Sequence, residues 1–183
     1  MNSITIKVDQ GQLNRVYREL GRISTQAPRY IARALNKTAV TFRKEMIQGI
    51  QKTYIMKYGN VKGQMKIHKA NAGNLVAIIE VNGDVIPITK FKATKGAKKT
   101  GAKAQVLKAG SLKPVIVNGI KSYMGSDSKV HHRTSSARGP VPSVMGPSVP
   151  GMVNSDRWYP EVEARGSVHL YTYMEQQIAM LTG

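Results

Sequence analysis

The pattern of hydrophobic and polar positions predicts one long amphipathic helix, running from Pro28 to about Tyr54. Proline suits a first helical turn because the N–H that it lacks needs no partner there. The residues predicted to face the core recur at spacings of three or four, which places them on one side: Ile31, Leu35, Thr38, Phe42, Met46 and Ile50. Basic residues recur on another side: Arg29, Arg33, Lys37 and Lys44. This basic stripe is either a solvated face or a surface for an acidic partner.

The residues before the long helix predict a strand and a shorter helix. Residues 3–8 alternate apolar and polar side chains, as a half-buried strand does. Asp9 is the predicted N-cap of a helix from about Gln10 to Arg22. The apolar positions of this helix have helical spacing: Leu13, Val16, Tyr17 and Leu20.

The region after the long helix predicts a small antiparallel sheet. Its strands are expected at residues 64–70, 74–82, 85–91 and 112–118. Turn residues separate the first three strands, and Pro87 indicates an edge position or a bulge in the third.

The C-terminal residues predict a helix from about Arg157 to Leu181, capped by Ser155 or Asp156 and weakened at Gly166. Its predicted core positions are Ala164, Val168, Tyr171, Met174, Ile178 and Leu181. Residues 151–183 carry two basic and four acidic residues, so this helix is acidic in a basic protein. Core packing is its predicted role, and contact with the basic surface of an identical neighbour is a second interpretation.

These elements predict an α+β fold in which long amphipathic helices pack on a small antiparallel sheet, with extended basic and Pro/Gly-rich loops. Its length of 183 residues predicts a single domain over 1–183. Within it we distinguish four parts: an N-terminal strand and helices (1–54), the sheet with a lysine-rich loop at 90–111 (64–124), an extended loop or arm (125–150) and the last helix (154–182).

Charge is the strongest compositional signal. There are 28 basic and 10 acidic residues, a formal net charge of +18, which is typical of a protein that meets a polyanion. Residues 85–124 hold nine lysines and no acid. A Gly-, Ala- and Lys-rich segment of this kind is expected to be mobile and without a fixed shape until an anion binds it. The proline-rich residues 125–150 are expected either to be a functional loop or to act as an arm that packs on a neighbour.

The sequence argues against several other classes of protein. There is no cysteine, no apolar run that could span a bilayer, and no secretion signal at the N-terminus. Residues 96–103 (GAKKTGAK) resemble a phosphate-binding loop but lack the required Gly-Lys-Ser/Thr ending. The histidines and acids are scattered, which argues against a metal site or a nuclease. We therefore expect no enzyme activity, no catalytic residues, no metal and no cofactor.

Three segments together resemble the minor tail protein Z family of long-tailed bacteriophages. They are Ala34–Leu35–Asn36–Lys37–Thr38–Ala39 on the long helix, IPITKF at 86–91 before the basic loop, and PVPSVMGPSVPGM at 140–152 before the last helix. The resemblance covers about residues 26–183. It implies a virion structural protein that completes the tail as a ring, expected to be hexameric, near its head-proximal end. It also implies contacts with other copies, with the tail terminator, tail tube and connector, and assembly in the host cytoplasm without a membrane.

Two sets of residues are the candidate contacts in such a ring. Those predicted to contact genomic DNA without sequence preference, or an acidic partner, are Arg29, Arg33, Lys37, Lys44, Lys90, Lys92, Lys95, Lys98, Lys99, Lys103 and Lys108. Those predicted to form an inter-subunit arm are Arg138, Pro140, Pro142, Gly146, Pro147, Val149 and Pro150.

An RNA-binding structural protein of a ribosome-like particle is the alternative. It explains the basic charge equally well, but it does not explain Gly-Pro-Ser-Val-Pro ahead of an acidic helix. The two functions predict different assemblies, a monomer for the RNA-binding protein and a ring for the tail protein.

Overall fold

A computed structural model of the chain describes residues 2–7, 11, 14–15, 18, 25–97, 99–134, 141–155 and 159–182. Most of the helix predicted from Gln10 to Arg22, with its core positions and its cap Asp9, lies outside these residues. Its described members are helical and exposed: Gly11, Asn14, Arg15 and Arg18.

The fold is an α+β arrangement, as predicted. The helices for which the structure describes both ends are α1 (Ala27–Thr53), α2 (Tyr58–Lys62), α3 (Val149–Ser155) and α4 (Tyr159–Thr182). Its strands in the N-terminal half are β1 (Asn2–Lys7), β2 (Met65–His68), β3 (Val76–Val81), β4 (Ile86–Pro87) and β5 (Lys92–Thr94). The remaining strands are β6 (Lys103–Gln105), β7 (Lys113–Pro114), β8 (Ile116–Val117), β9 (Ile120–Lys121), β10 (Tyr123–Met124), β11 (Val130–His131) and β12 (Met145–Gly146). The short helix α2 lies between α1 and β2, in residues for which the sequence predicted neither a helix nor a strand.

Helix α1 is the centre of the fold. It begins at Ala27, one residue earlier than predicted, with Pro28 in its first turn, and it ends at Thr53. All six predicted core residues are buried. The buried side is wider than predicted, because α1 packs against both the sheet and α4. Ala34, Ala39 and Ile47 are therefore buried as well.

The main sheet is antiparallel, with strand order β1-β3-β2. Ile4 and Ile67 both pair with Ile79 of the central strand, so three isoleucines meet on one face. Ile79 is fully buried in the main core, which lies between this face and α1. The predicted turn between β2 and β3 is confirmed: Asn71 Oδ1 accepts hydrogen bonds from the N–H groups of Gly73 and Asn74, both at 2.9 Å.

The other face of the sheet carries a cluster of polar side chains. His68 Nε2 lies 2.6 Å from Glu80 Oε2, and the side-chain amide of Asn82 donates to Glu80 Oε1. These hydrogen bonds, the one from His68 first, hold the pKa of Glu80 below its ordinary value of 4.5 because they favour the charged carboxylate.

The C-terminal region differs from its prediction in two ways. The predicted helix is present as α4, but an additional helix, α3, precedes it; Ser155, a predicted cap, is the last residue of α3, whereas Asp156 lies outside the described residues. The predicted core face is also wrong in its first half, since Ala164, Val168 and Tyr171 are exposed. The buried residues of α4 instead recur every four residues: Val162, Gly166, Leu170 and Met174.

Gly166 explains why α4 turns this side inward. A Cβ at this position would lie 2.6 Å from Cδ2 of Phe42, well inside van der Waals contact. The glycine thus lets the Phe42 ring pack directly against the backbone of α4. Apolar periodicity takes no account of glycine, so it favoured the other apolar stripe of the helix.

Residues 86–131 form a second, smaller lobe, and here two further predictions are wrong. The strand expected at 85–91 is only Ile86–Pro87, followed by a 3₁₀ turn at Ile88–Lys90, and the strand at 112–118 is split between β7 and β8. The segment 90–111 was expected to have no fixed shape, but β5, β6 and β7 form an antiparallel sheet. Residues far apart in sequence form the buried cluster beneath it: Ile88, Ala102, Val130 and Val144.

The described part of the 125–150 segment packs on its own chain, and its contact with a neighbouring copy stays a prediction. The Val144 N–H donates to the Val130 carbonyl at 2.7 Å, and β12 pairs with β4. Val149 is fully buried, and a Cβ at Gly146 would lie 2.7 Å from the Phe91 ring. Arg138 and Pro140 lie outside the described residues. Gly146 and Val149 are thus core residues of the subunit.

Candidate polyanion-binding surface

The β5–β6 pair of the second lobe has one apolar and one basic face. In the β5–β6 register Lys92 faces Gln105, and Thr94 faces Lys103. Alternate residues of a strand point to opposite sides, so Lys92 and Lys103 share a face. Ala93 and Ala104 share the other face and pack against the buried cluster. The fold of the lobe thereby directs both lysines away from its core.

The turn between β5 and β6 presents further lysines. Lys95 and Lys99 are exposed there, while Lys98 lies outside the described residues. Gly96 and Gly101 have φ values of 65° and 71°, which favour glycine, and a Cβ at Gly96 would overlap the carbonyl oxygen of Gly101. The two glycines that resembled a phosphate loop are therefore needed to close a tight turn between two strands, whereas a phosphate loop leads into a helix.

The positive charge of the lobe is not balanced internally. Its exposed lysines are Lys90, Lys92, Lys95, Lys99, Lys108, Lys113, Lys121 and Lys129. Among the residues that the structure describes, no carboxylate lies within 4.0 Å of these amines. Lys121 Nζ instead donates to the backbone carbonyl of Lys99 at 2.8 Å. An unbalanced cluster of this kind attracts a polyanion or an acidic protein surface.

All four residues of the basic stripe on α1 are exposed, as predicted for a surface stripe. They differ in the contacts that they make. Lys37 Nζ donates to Gln176 Oε1 at 3.2 Å and lies 4.3 Å from the centre of the Tyr173 ring, so it helps to attach α4. The Arg33 guanidinium lies 5.0 Å from the centre of the Tyr30 ring. The stripe is therefore a rigid helical surface, distinct from the lysines of the lobe.

The lobe is joined to the C-terminal end of α1. The Lys108 N–H donates to the Thr53 carbonyl and the Ile55 N–H to the Val106 carbonyl, each at 2.8 Å. Lys44 precedes Thr53 by nine residues, which is about 14 Å along a helix. The basic stripe thus lies on residues 29–44 of α1, whereas the lobe is attached at the C-terminal end of that helix.

Sequence reasoning missed a charged cluster between α1 and α4. Glu45 Oε1 lies 2.8 Å from His169 Nε2, and Glu45 Oε2 lies 3.6 Å from Arg165 Nε. Arg165 also pairs with Glu161 at 3.4 Å. The helical spacing of Arg165 and His169 was the available signal, but their partner lies 124 residues from His169. The cluster fixes how α4 sits on α1.

A cleft of about 670 Å³ lies beside the β3–β4 turn. Asn60, Gln64, Asp84 and Lys90 supply polar groups to its wall, and Pro150 borders it. In the described part of the chain, no three His, Cys, Asp or Glu side chains come together as a metal site requires. None of the helices among the described residues combines the length and hydrophobicity that a membrane span needs.

Comparison with known proteins identifies the family. A family described as prophage minor tail protein Z matches residues 11–156, which is most of the chain. No curated protein and no solved structure matches at a significant level. The chain therefore belongs to the prophage minor tail protein Z family, as its sequence motifs predicted. It is accordingly a structural protein of a phage tail and a component of the virion, which favours this function over the RNA-binding alternative.

Proposed function

We propose that this protein completes the phage tail as a ring near its head-proximal end, where the genome passes, without any catalytic activity. The exposed lysines of the second lobe carry this proposal. Residues 85–124 hold nine lysines and no acid, and the β5–β6 pair directs Lys92 and Lys103 away from the core. A protein around a DNA path has to attract phosphates of any sequence, and lysines without base-reading elements suit that task.

The two basic surfaces have different roles in this proposal. Duplex DNA carries about one charge per 1.7 Å of its axis, so several copies of the lobe bring more lysines than there are phosphates beside them. Some basic residues therefore meet acidic protein. We assign the lobe lysines to DNA and the rigid α1 stripe to a protein neighbour, since protein interfaces are enriched in arginine.

Imaging of assembled tails tests the position of the protein. Tails made with this chain are expected to show a ring at the head-proximal end, and tails made without it are expected to lack only that density. A labelled chain found at the distal tip, or along the whole tube, would contradict the proposal. Imaging also counts the copies, for which we expect six.

Removing lobe lysines is expected to flatten the salt dependence of DNA binding. The variant replaces four lysines by glutamine: Lys95, Lys98, Lys99 and Lys103. The slope of log K against log salt concentration should fall by about 0.9 for each lysine that contacts a phosphate. Fluorescence anisotropy with duplexes of unrelated sequence measures this slope, and sequence should not affect it.

The control variant loses the same charge elsewhere. It replaces four exposed lysines outside the lobe by glutamine: Lys52, Lys57, Lys62 and Lys66. This control should retain most of the native slope, because its net charge falls equally while the lobe is intact. Equal slopes for the two variants would show that only net charge matters and would remove the lobe from the proposal.

A further inference from the structure

We infer that the exposed face of α4 binds the basic stripe on α1 of a second copy of this chain. The inference rests on the proposed ring and names the surfaces through which neighbouring copies meet. The α4 face consists of Ala164, Val168 and Tyr171 between Glu161 and Glu175. The α1 face consists of Arg33, Val40 and Lys44.

The first observation is that α4 is apolar on two sides. One side, which includes Val162 and Leu170, is buried within the chain. The opposite side carries Val168, which is 64% exposed, and Tyr171, which is 45% exposed. Because these residues and Ala164 recur at spacings of four and three, they form one continuous stripe. An amphipathic helix on a protein surface normally shows solvent a polar face, so this stripe indicates a docking surface.

The second observation is the placement of charge around this stripe. Glu161 and Glu175 each lie seven residues from Val168 on the same side of the helix, which is about 10 Å in either direction. The face is therefore acidic at both ends and apolar at its centre. It stands out in a chain with 28 basic and only 10 acidic residues.

The exposed side of α1 has the complementary pattern. Val40 is 49% exposed and lies between Arg33, seven residues before it, and Lys44, four residues after it. The long side chains of arginine and lysine extend this reach beyond the helical rise. Laying one face on the other places valine against valine and bases against acids. A second copy is thus the partner whose charge and spacing fit.

The existing partners of the α4 acids are compatible with this contact. Glu161 pairs with Arg165 at 3.4 Å, and Glu175 pairs with Arg15 at 3.6 Å, all with well-exposed side chains. Arg15 also donates to Tyr171 Oη at 3.2 Å. Exposed ion pairs of this kind contribute little stability, so these acids can take new partners at small cost.

The geometry of such a contact determines the type of assembly. The two faces are different surfaces of the same chain, which makes the interface heterologous. Repetition of a heterologous contact produces a closed ring or an open filament rather than a two-fold dimer.

The central test replaces Val168 by glutamate and measures self-association. Val168→Glu should weaken the association of the purified full chain by at least about tenfold, because it places an unpaired charge at the centre of the contact. Sedimentation and light scattering over a wide range of protein concentrations measure this change. Met180→Glu is the control, since Met180 is 70% exposed on the same helix but lies outside the proposed face.

Charge exchange tests the pairing of the two faces. Two double variants should each abolish association. One combines Glu161→Lys with Glu175→Lys, and the other combines Arg33→Glu with Lys44→Glu. A chain that carries all four substitutions should associate again, because each acid and base has then changed sides. Glu163→Lys and Lys52→Glu are the matched controls, as both residues are exposed but lie off the two faces.

Three results would overturn the inference. They are a native chain that stays monomeric at all concentrations, four substitutions that fail to restore association, and a Val168→Glu chain that melts at a lower temperature but associates normally. The last result would show that another segment of the same chain covers the face. Native rings in imaged tails together with normal association of Val168→Glu would reject this interface and leave the proposed function intact. Conversely, association through this face with the protein located elsewhere in the tail would reject only the proposed function.

Discussion

Replacing Leu35 by alanine is expected to lower the free energy of unfolding by about 2–5 kcal/mol. Leu35 is fully buried at the point where α1 packs in the main core, so its truncation removes apolar contacts and leaves a cavity. Each kcal/mol corresponds to roughly 2–4 °C in the melting temperature of a chain of this size. Thermal and urea denaturation of the purified protein measure both quantities.

Val40 provides the control for this prediction. It lies on the same helix but is 49% exposed, so Val40→Ala, measured at protein concentrations low enough to keep the chain monomeric, should change the unfolding free energy by no more than about 0.5 kcal/mol. Comparable losses for Leu35→Ala and Val40→Ala would mean that α1 does not bury the predicted side.

Replacing Gly166 by alanine is expected to cost about 1–3 kcal/mol, although alanine favours helix formation by about 1 kcal/mol over glycine. The reason is steric, since the new Cβ would lie 2.6 and 2.7 Å from Cδ2 and Cε2 of Phe42. The ring or the helix has to move, and a packed core resists such movement. A lower melting temperature would therefore show that the overlap with Phe42 outweighs the higher helix propensity of alanine, and a higher one would show the reverse.

Two further variants isolate the contact between Gly166 and Phe42. Gly59 lies in α2, where an added Cβ would have no other atom within 4 Å, so Gly59→Ala should be neutral or slightly stabilising. Phe42→Leu should cost less in the Gly166→Ala background than in the native chain, because it relieves the overlap. Additive losses in this double-mutant cycle would contradict the close approach.

Helix α1 shows which elements could be predicted from local pattern. Its periodicity holds over 27 residues, and a proline marks its start, so both its ends and its buried side followed from the sequence. In α4 the same method found the helix but selected the wrong side in its first half. Two apolar stripes run along that half, and the one that packs on α1, with Gly166 against Phe42, is buried.

The sequence predicted the basic composition of the candidate site but not its folded structure. The absence of acids from residues 85–124 is visible without a structure. The folding of those residues is not, because strands of two or three residues carry almost no periodic signal. Their core joins Ile88 to Val144, and no local pattern relates residues so far apart.

Composition, ordered motifs and short-range periodicity were enough to identify the family, the net charge, the long helix α1 and the strand pair β2–β3. The folded chain was needed to place the lysines on a folded lobe, to show that residues 141–150 pack on their own subunit, and to show that Val168 and Tyr171 face outward. Burial depends on which surfaces meet, and several of the contacts that decide it here join residues more than fifty positions apart, among them Phe42 with Gly166 and Ile88 with Val144.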